Sequence, residues 1–244
     1  MKLNLKDLTF IIVTFRSEKI IYECLNTLPN ISPKIIIENS NNIKLKKELE
    51  EKFENIEVLL SENIGMGASN NIGLKKCHTQ FAFIINPDVK LKENTLIEII
   101  NSLNFIDEFA ILSPLNSDAN FPNYKILKPN KKEINQNIIS VDHIDGFSML
   151  INREKFKDEK YFDENFFLYL ENNDLCIRTI NNNEKIYIIK NSKIDHLGAS
   201  SSDKLFSKEI EYLRNWHWMW SKFYFNKKHY GYFNALNKVI LNFL

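Results

Sequence analysis

Between residues 10 and 85, short apolar runs rich in β-branched side chains alternate with segments of helical periodicity, and this alternation limits the folds open to the chain. The runs lie at 10–14 and 34–38, separated by Ile20, Ile21, Cys24, Leu25 and Leu28 at spacings of a helix face. A charged helix is predicted over 42–53, a strand over 56–60, a helix over 68–76 and a strand over 81–85. Strands alternating with helices make a largely parallel central sheet flanked by helices, with ligand sites at the carboxyl ends of the strands. The fold class is therefore α/β.

Beyond Asp88 the pattern predicts a helix over 94–103, a strand over 109–113 and a polar, Asn-, Pro- and Lys-rich mobile loop over 116–137. A strand over 144–151, a loop through 162–165, a helix from about 172 and a strand over 185–189 follow, and the last forty residues read as helical and aromatic. With 244 residues, 44% hydrophobic and 26% charged, and no repeat or clean linker, one domain is expected over 1–205. Its donor-binding half covers about 1–115 and its acceptor half about 138–205, with a helical extension over 206–244 packed on the domain or at a membrane surface.

The 32 basic and 31 acidic residues leave a net charge of +1, which offers no electrostatic reason for nucleic-acid binding. Three scattered cysteines, Cys24, Cys77 and Cys176, form neither a disulfide framework nor a zinc knuckle, as expected of a reducing cytoplasm. The apolar run at 10–15 is shorter than a signal h-region, and no uninterrupted run reaches the roughly 18 apolar residues of a spanning helix.

Four constellations carry chemistry. Asn86-Pro-Asp88 follows an apolar strand, so Asp88 projects from the carboxyl end of the sheet as a hard oxygen ligand; the plain alternative is a Pro-Asp turn. In Glu171-Asn-Asn-Asp174, two carboxylates share one helical turn after an aromatic run that includes Tyr169. One can serve as a general base, or Asn172 or Asn173 can cap the helix while Asp174 pairs with Arg178 at i+4. Asp195-His196-Leu-Gly198 places an imidazole after a strand, either completing a metal site or resting as an ordinary polar residue. Finally, Glu62-Asn63-Ile-Gly65-Met-Gly67 runs into a helix through Asn70-Asn71-Ile-Gly73, so its amides can approach a nucleotide, although the spacing is neither a Walker loop nor a dinucleotide fingerprint.

Taken in order, and together with Asp145-Gly146-Phe147-Ser148 and Phe162-Asp-Glu-Asn-Phe-Phe167, these motifs resemble the inverting family 2 glycosyltransferases, in the rhamnosyltransferase-like branch. The resemblance spans roughly residues 9–200 and implies a GT-A fold that binds a nucleotide-diphospho-sugar. It puts the donor near Thr14, Glu38, Asn63, Gly65, Asn71, Asn86 and Asp88, with a divalent metal, Mn²⁺ or Mg²⁺, on Asp88 and His196. Asp145, Gly146, Phe147 and Tyr169 would border the acceptor, with 116–137 as a lid. The implied reaction is an in-line, inverting transfer of a sugar from dTDP-rhamnose or a UDP-sugar to an acceptor hydroxyl on a glycan or lipid-linked glycan, in surface polysaccharide synthesis.

Three positions depart from the family pattern. Glu38 stands where Asp is usual, Asn86 replaces one metal ligand of Asp-x-Asp, and Asn172 occupies the usual base position of Glu-Asp-x-Asp. An amide cannot hold the acceptor's proton at neutral pH, so the base must be a neighbouring carboxylate, Glu171 first and Asp174 second. A catalytically silent binding or scaffolding relative and a nucleotidyltransferase are the competing classes; the latter lacks its basic Gly-rich loop, because Thr14-Phe-Arg16-Ser-Glu18 follows the first strand. Over 212–233, Trp216, Trp218, Trp220 and their aromatic neighbours stand beside Lys222, Lys227, Lys228 and His229, as at the inner face of a membrane; alternatively, Tyr212, Trp216, Trp220 and Phe223 form one stripe packed on the domain core or a partner subunit.

Overall fold

A computed structural model describes residues 3–127, 133–198 and 207–240. Its first half is the anticipated alternation: β1 (Leu8–Thr14), α1 (Ile21–Leu25), β2 (Lys34–Glu38), α2 (Ile43–Lys52), β3 (Ile56–Leu60), α3 (Met66–Lys76) and β4 (Phe81–Ile85). There follow β5 (Val89–Leu91), α4 (Thr95–Ser102), β6 (Ile111–Asn116), β7 (Tyr124–Lys125), β8 (Ile138–Ser140), β9 (His143–Ile144), β10 (Ser148–Asn152), α5 (Glu171–Asn181), β11 (Ile186–His196), α6 (Ser207–Tyr230) and α7 (Tyr232–Ile240).

Among the described residues, a nine-stranded sheet runs in the order β3-β2-β1-β4-β10-β6-β11-β5, with β8 paired to β11. The pairs β1–β2, β1–β4, β2–β3 and β6–β11 are parallel, and β10 enters antiparallel between β4 and β6. Every residue of β1 is buried because both faces of the sheet are covered. Phe10 and Ile12 point into a core shared with Ile21, Leu25, Leu45, Leu49 and Ile99 from α1, α2 and α4. Ile11 and Val13 point to the other side, with Leu74 of α3 and Leu175 and Cys176 of α5. Each such side chain contributes about 1.5–3 kcal/mol by leaving water, and Phe10 also stacks on its register partner Phe83 at 5.5 Å.

The later elements differ from their sequence-based expectations. The single strand over 144–151 is interrupted at Asp145-Gly146-Phe147, separating β9 from β10. The strand over 185–189 continues to His196, with a register shift between Ile189 and Lys193. Helix α5 begins at Glu171 after Tyr169 (φ 71°) and Leu170 (φ 65°), with no side-chain cap. Asn172 is no cap, since its amide donates to the Ile144 carbonyl (2.9 Å).

The stretch expected as a mobile loop is largely tied down where it is described. Buried Asn123 donates to Ser113 Oγ and the Pro114 carbonyl and accepts from the Asn116 amide, and β7 pairs with β9. Residues 128–132 of the anticipated lid lie outside the described residues.

In α6, much of the predicted aromatic stripe stays exposed, although Trp220 Nε1 donates to the Asn165 carbonyl at 3.4 Å. Tyr212, Trp216 and Trp220 are 74%, 63% and 48% exposed, whereas His217, Ser221, Tyr224 and Lys228 hold the loop and helix from Asp163 to Asp174. Those four recur every three or four residues, one helix face about a third of a turn away from the stripe. Phe223 meets Tyr232 of α7 edge-on. No described helix is long and apolar enough to cross a membrane.

Candidate active site

Parallel strands deliver their carboxyl ends to one edge of the sheet, and the side chains there have no partners from within the sheet. Over the ends of β1, β2 and β4 opens a 320 Å³ cleft bordered by Phe15, Ser17, Asn39, Asn63, Gly65, Asn86 and Pro87. Gly65 is required on two counts: its φ is +95°, and a Cβ there would stand 2.4 Å from the Phe167 carbonyl oxygen, which accepts the Met66 amide.

Asp88 follows β4 and is 3% exposed, yet its Oδ1 has no hydrogen-bond partner among the described residues. The long strand β11 brings His196 beside it, with Nε2 3.5 Å from that oxygen. His196 stacks face to face on Phe147 at 3.9 Å. A buried carboxylate oxygen left without a donor is costly unless something cationic meets it; the carboxylate suits a hard divalent ion such as Mn²⁺ or Mg²⁺, and an added imidazole nitrogen favours Mn²⁺ over Mg²⁺. No cluster of three or more His, Cys, Asp and Glu forms among the described residues. Cys24 lies nearby, its thiol donating to the Asn86 carbonyl at 3.7 Å and pushed up by burial and the Asp88 charge.

Glu171 opens α5 at 7% exposure with Oε2 unpartnered. Burial raises its carboxyl from 4.5 to about 7, partly offset by a backbone hydrogen bond. It lies against Gly146, where a Cβ would come within 3.8 Å of Oε1, and against Gly67, where a Cβ would stand 3.4 Å from its own Cβ. Because Gly146 leads directly to Phe147, on which His196 stacks, one short segment joins the surroundings of Glu171 to the Asp88–His196 pair. Asp145 beside it bonds His143 (2.9 Å), and Tyr169 packs edge-on to Trp218.

Four expected site residues are committed elsewhere. Asp174 is fully buried with both oxygens taken, Oδ2 by Arg178 (2.8 Å) and Oδ1 by Lys228 (2.7 Å) and His229 (2.8 Å), so it cannot take a proton from a substrate. Glu38 accepts from the Ser40 and Asn42 amides and the Ser40 hydroxyl, shaping the turn into α2 and not the cleft. Asn71 spends its carboxamide on both backbone polar groups of Phe162 and on Glu164. Thr14 is buried toward the Ile37 carbonyl, while Phe15 and Ser17 line the cleft in its place.

Asn39, which bonds Ser69 through its carboxamide, takes the lining position expected of Glu38. The reason is a single residue step: at a strand end, neighbouring side chains point to opposite faces. Leu213, Arg214 and His217 of α6 also line the cleft. Nothing in their spacing links them to a site more than a hundred residues earlier.

A largely parallel sheet with the antiparallel strand β10 inserted between β4 and β6, and helices on both faces, is the GT-A fold of glycosyltransferases. Residues 9–159 match Glycosyl transferase family 2, and the chain belongs to that family.

Among curated relatives, the low-salt glycan biosynthesis hexosyltransferase Agl10 of Haloferax volcanii is 23% identical over 83% of this chain and 73% of its own. The rhamnosyltransferase WbbL of Escherichia coli K12 is 24% identical over 75% of this chain and 78% of its own. Among solved structures, GalNAc-T7 with UDP, GalNAc and Mn²⁺ superposes with a TM-score of 0.64 at 16% identity, over 79% of this chain and 44% of that one. Residues 1–349 of S. aureus TarS with UDP give 0.56 at 20% identity, over 80% and 59%. The chain thus spans only about half the length of these structural neighbours.

Proposed function

We propose that this chain transfers a sugar from a nucleoside-diphospho-sugar to an acceptor hydroxyl with inversion at the anomeric carbon, and that Glu171 takes the acceptor proton. The observation that carries this reading is the buried Glu171 carboxyl at the start of α5, which lies against Gly146 with Oε2 unpartnered among the described residues; burial pushes it up to about 7. A base serves best when it titrates near the working pH. The acceptor oxygen bonds to the anomeric carbon as the bond to the diphosphate breaks, while the hydroxyl proton passes to Glu171.

Asp88 and His196 would hold the divalent ion, which when bound neutralises charge on the departing diphosphate. Asn63, Gly65, Asn86 and Asn39 would face the donor; Asp145, Gly146, Phe147 and Tyr169 would face the acceptor. The hexosyltransferase and rhamnosyltransferase relatives and the UDP-bound neighbours support dTDP-rhamnose or a UDP-sugar as donor. They likewise support a glycan or lipid-linked acceptor in surface polysaccharide synthesis. The outward Tyr212, Trp216 and Trp220 support apposition to the cytoplasmic face of a membrane, where such an acceptor would be held.

The test is thermal stability in the presence of nucleoside diphosphates and nucleotide-sugars, with and without Mn²⁺ or Mg²⁺, since a ligand that binds only the folded state raises the midpoint. Metal-dependent stabilisation that Asp88→Ala abolishes is the expected result. If no nucleotide shifts the wild type, the silent relative suggested by Asn86 and Asn172 is the better reading.

A further inference from the structure

One wall of the cleft lies outside the family match over 9–159: it is the N-terminal part of α6. Arg214 and His217 stand there, three residues apart on one helix face, in a lining that also includes Asn86 and Pro87. The face is firmly seated. His217 stacks on Phe167 at 4.1 Å, and Ser221 Oγ donates to the Leu168 carbonyl at 2.7 Å. Two turns later, Lys228 bridges Asp163 (2.6 Å) and Asp174 (2.7 Å), and His229 bonds Asp174.

Arg214 itself is half-buried and has no ion pair or hydrogen bond among the described residues. No carboxylate is among the described residues lining the cleft. Its charge does act on the phenol of Tyr169, which also senses Glu171, so the guanidinium stands in the neighbourhood of the proposed base. A permanent cation with no counter-ion among the described residues, facing a cleft of amide and apolar groups, is suited to an anion that arrives as ligand. The planar fork of a guanidinium matches two phosphate oxygens at once.

We infer that Arg214 grips the diphosphate of the donor and stabilises it as it leaves, and that the Asp174–Lys228–His229 clamp positions α6 to present it. The inference rests on the donor-site reading above and adds a residue from an element that reading does not use. As the sugar–phosphate bond breaks, its electron pair goes to the diphosphate oxygen, and a fixed cation beside that oxygen favours the charge that develops there.

The decisive experiment is calorimetric titration of wild type, Arg214→Ala and Arg214→Lys with UDP, dTDP and the corresponding nucleosides, in the presence of Mn²⁺. Arg214→Ala is expected to weaken diphosphate binding by about ten-fold or more, since hydrogen bonds to charged groups are the strong ones. It should leave nucleoside binding unchanged, and Arg214→Lys should recover part of the loss. Unchanged diphosphate affinity in Arg214→Ala, or an equal loss for the nucleoside, would overturn the assignment. A wild type that binds no nucleoside diphosphate overturns the donor-site reading itself, and this inference with it.

Lys228→Met tests the clamp without emptying the buried carboxylate site. It should lower diphosphate affinity several-fold, but combined with Arg214→Ala it should cost no more than Arg214→Ala alone. Additive losses would show that the clamp acts by another route.

Discussion

Glu171→Gln separates the two consequences of burying a carboxyl beside Gly146. The substitution keeps shape and removes titration. Burial lifts the carboxyl from 4.5 to about 7, and at roughly 1.4 kcal/mol per pH unit the ionised form costs the fold about 3 kcal/mol. Between those two values the folded chain keeps a proton that the unfolded chain has released, so wild-type stability falls as pH rises through the window and the deficit is complete above about 7. Glu171→Gln has no such dependence. Urea denaturation should therefore show the gap between variant and wild type moving by about 3 kcal/mol in the variant's favour from pH 4.5 to pH 8. Transfer should respond in the opposite sense, since a base works only when ionised: the wild-type rate should climb through a limb near pH 7, and the variant should lose about 10²–10⁴-fold with no such limb. A variant that keeps wild-type turnover, or a stability gap independent of pH, would refute the assignment of Glu171 as a buried base.

Asp174→Asn leaves Arg178, Lys228 and His229 without their shared carboxylate; a loss of about 3 kcal/mol in urea denaturation is expected, and a loss below about 0.5 kcal/mol would mean the clamp contributes little. Gly65→Ala forces a Cβ to 2.4 Å from the Phe167 carbonyl at φ +95°; about 2 kcal/mol of destabilisation is expected, together with weaker nucleoside diphosphate binding, both measurable by thermal shift. With Trp216 and Trp220 63% and 48% exposed, the wild type should sediment with anionic vesicles and the double Trp→Ala variant should not; wild type left in the supernatant would remove the membrane apposition.

Much of the framework was legible because it is local. The runs at 10–14, 34–38 and 81–85 announce β1, β2 and β4, since β-branched side chains between helical segments have few other places to go. Asn63, Gly65, Asn86 and Asp88 were legible for a related reason: a residue that immediately follows a parallel strand, or begins the next helix, must lie at the carboxyl edge. Glu171 could be named as a base candidate from the carboxylates near it, but its fitness rests on desolvation, which no linear pattern reveals.

The remaining differences have a common origin. Asp174 stood second to Glu171 as a base candidate, with Arg178 at i+4 as its plain partner, and only the fold brings Lys228 and His229, more than fifty residues later, onto its oxygens. Asn39 and not Glu38 lines the cleft because side chains alternate across a strand end, and which one faces the cleft depends on how β2 sits between β1 and β3. The stripe on α6 has the periodicity of a buried face, yet the helix is turned by the Phe167–His217 stack and the Lys228 bridges so that Trp216 and Trp220 look outward.

The sequence by itself determined the alternation of strands and helices, the family, and the residues standing at strand ends, because these follow from periodicity and from neighbours a few positions apart. Tertiary structure alone decided that Asp88 meets His196, that Glu171 is dry enough to titrate near neutrality, and that Arg214 stands in the cleft. Each of these is a contact or a desolvation between segments distant in the chain, and its energy exists only once the sheet has closed and α6 has docked.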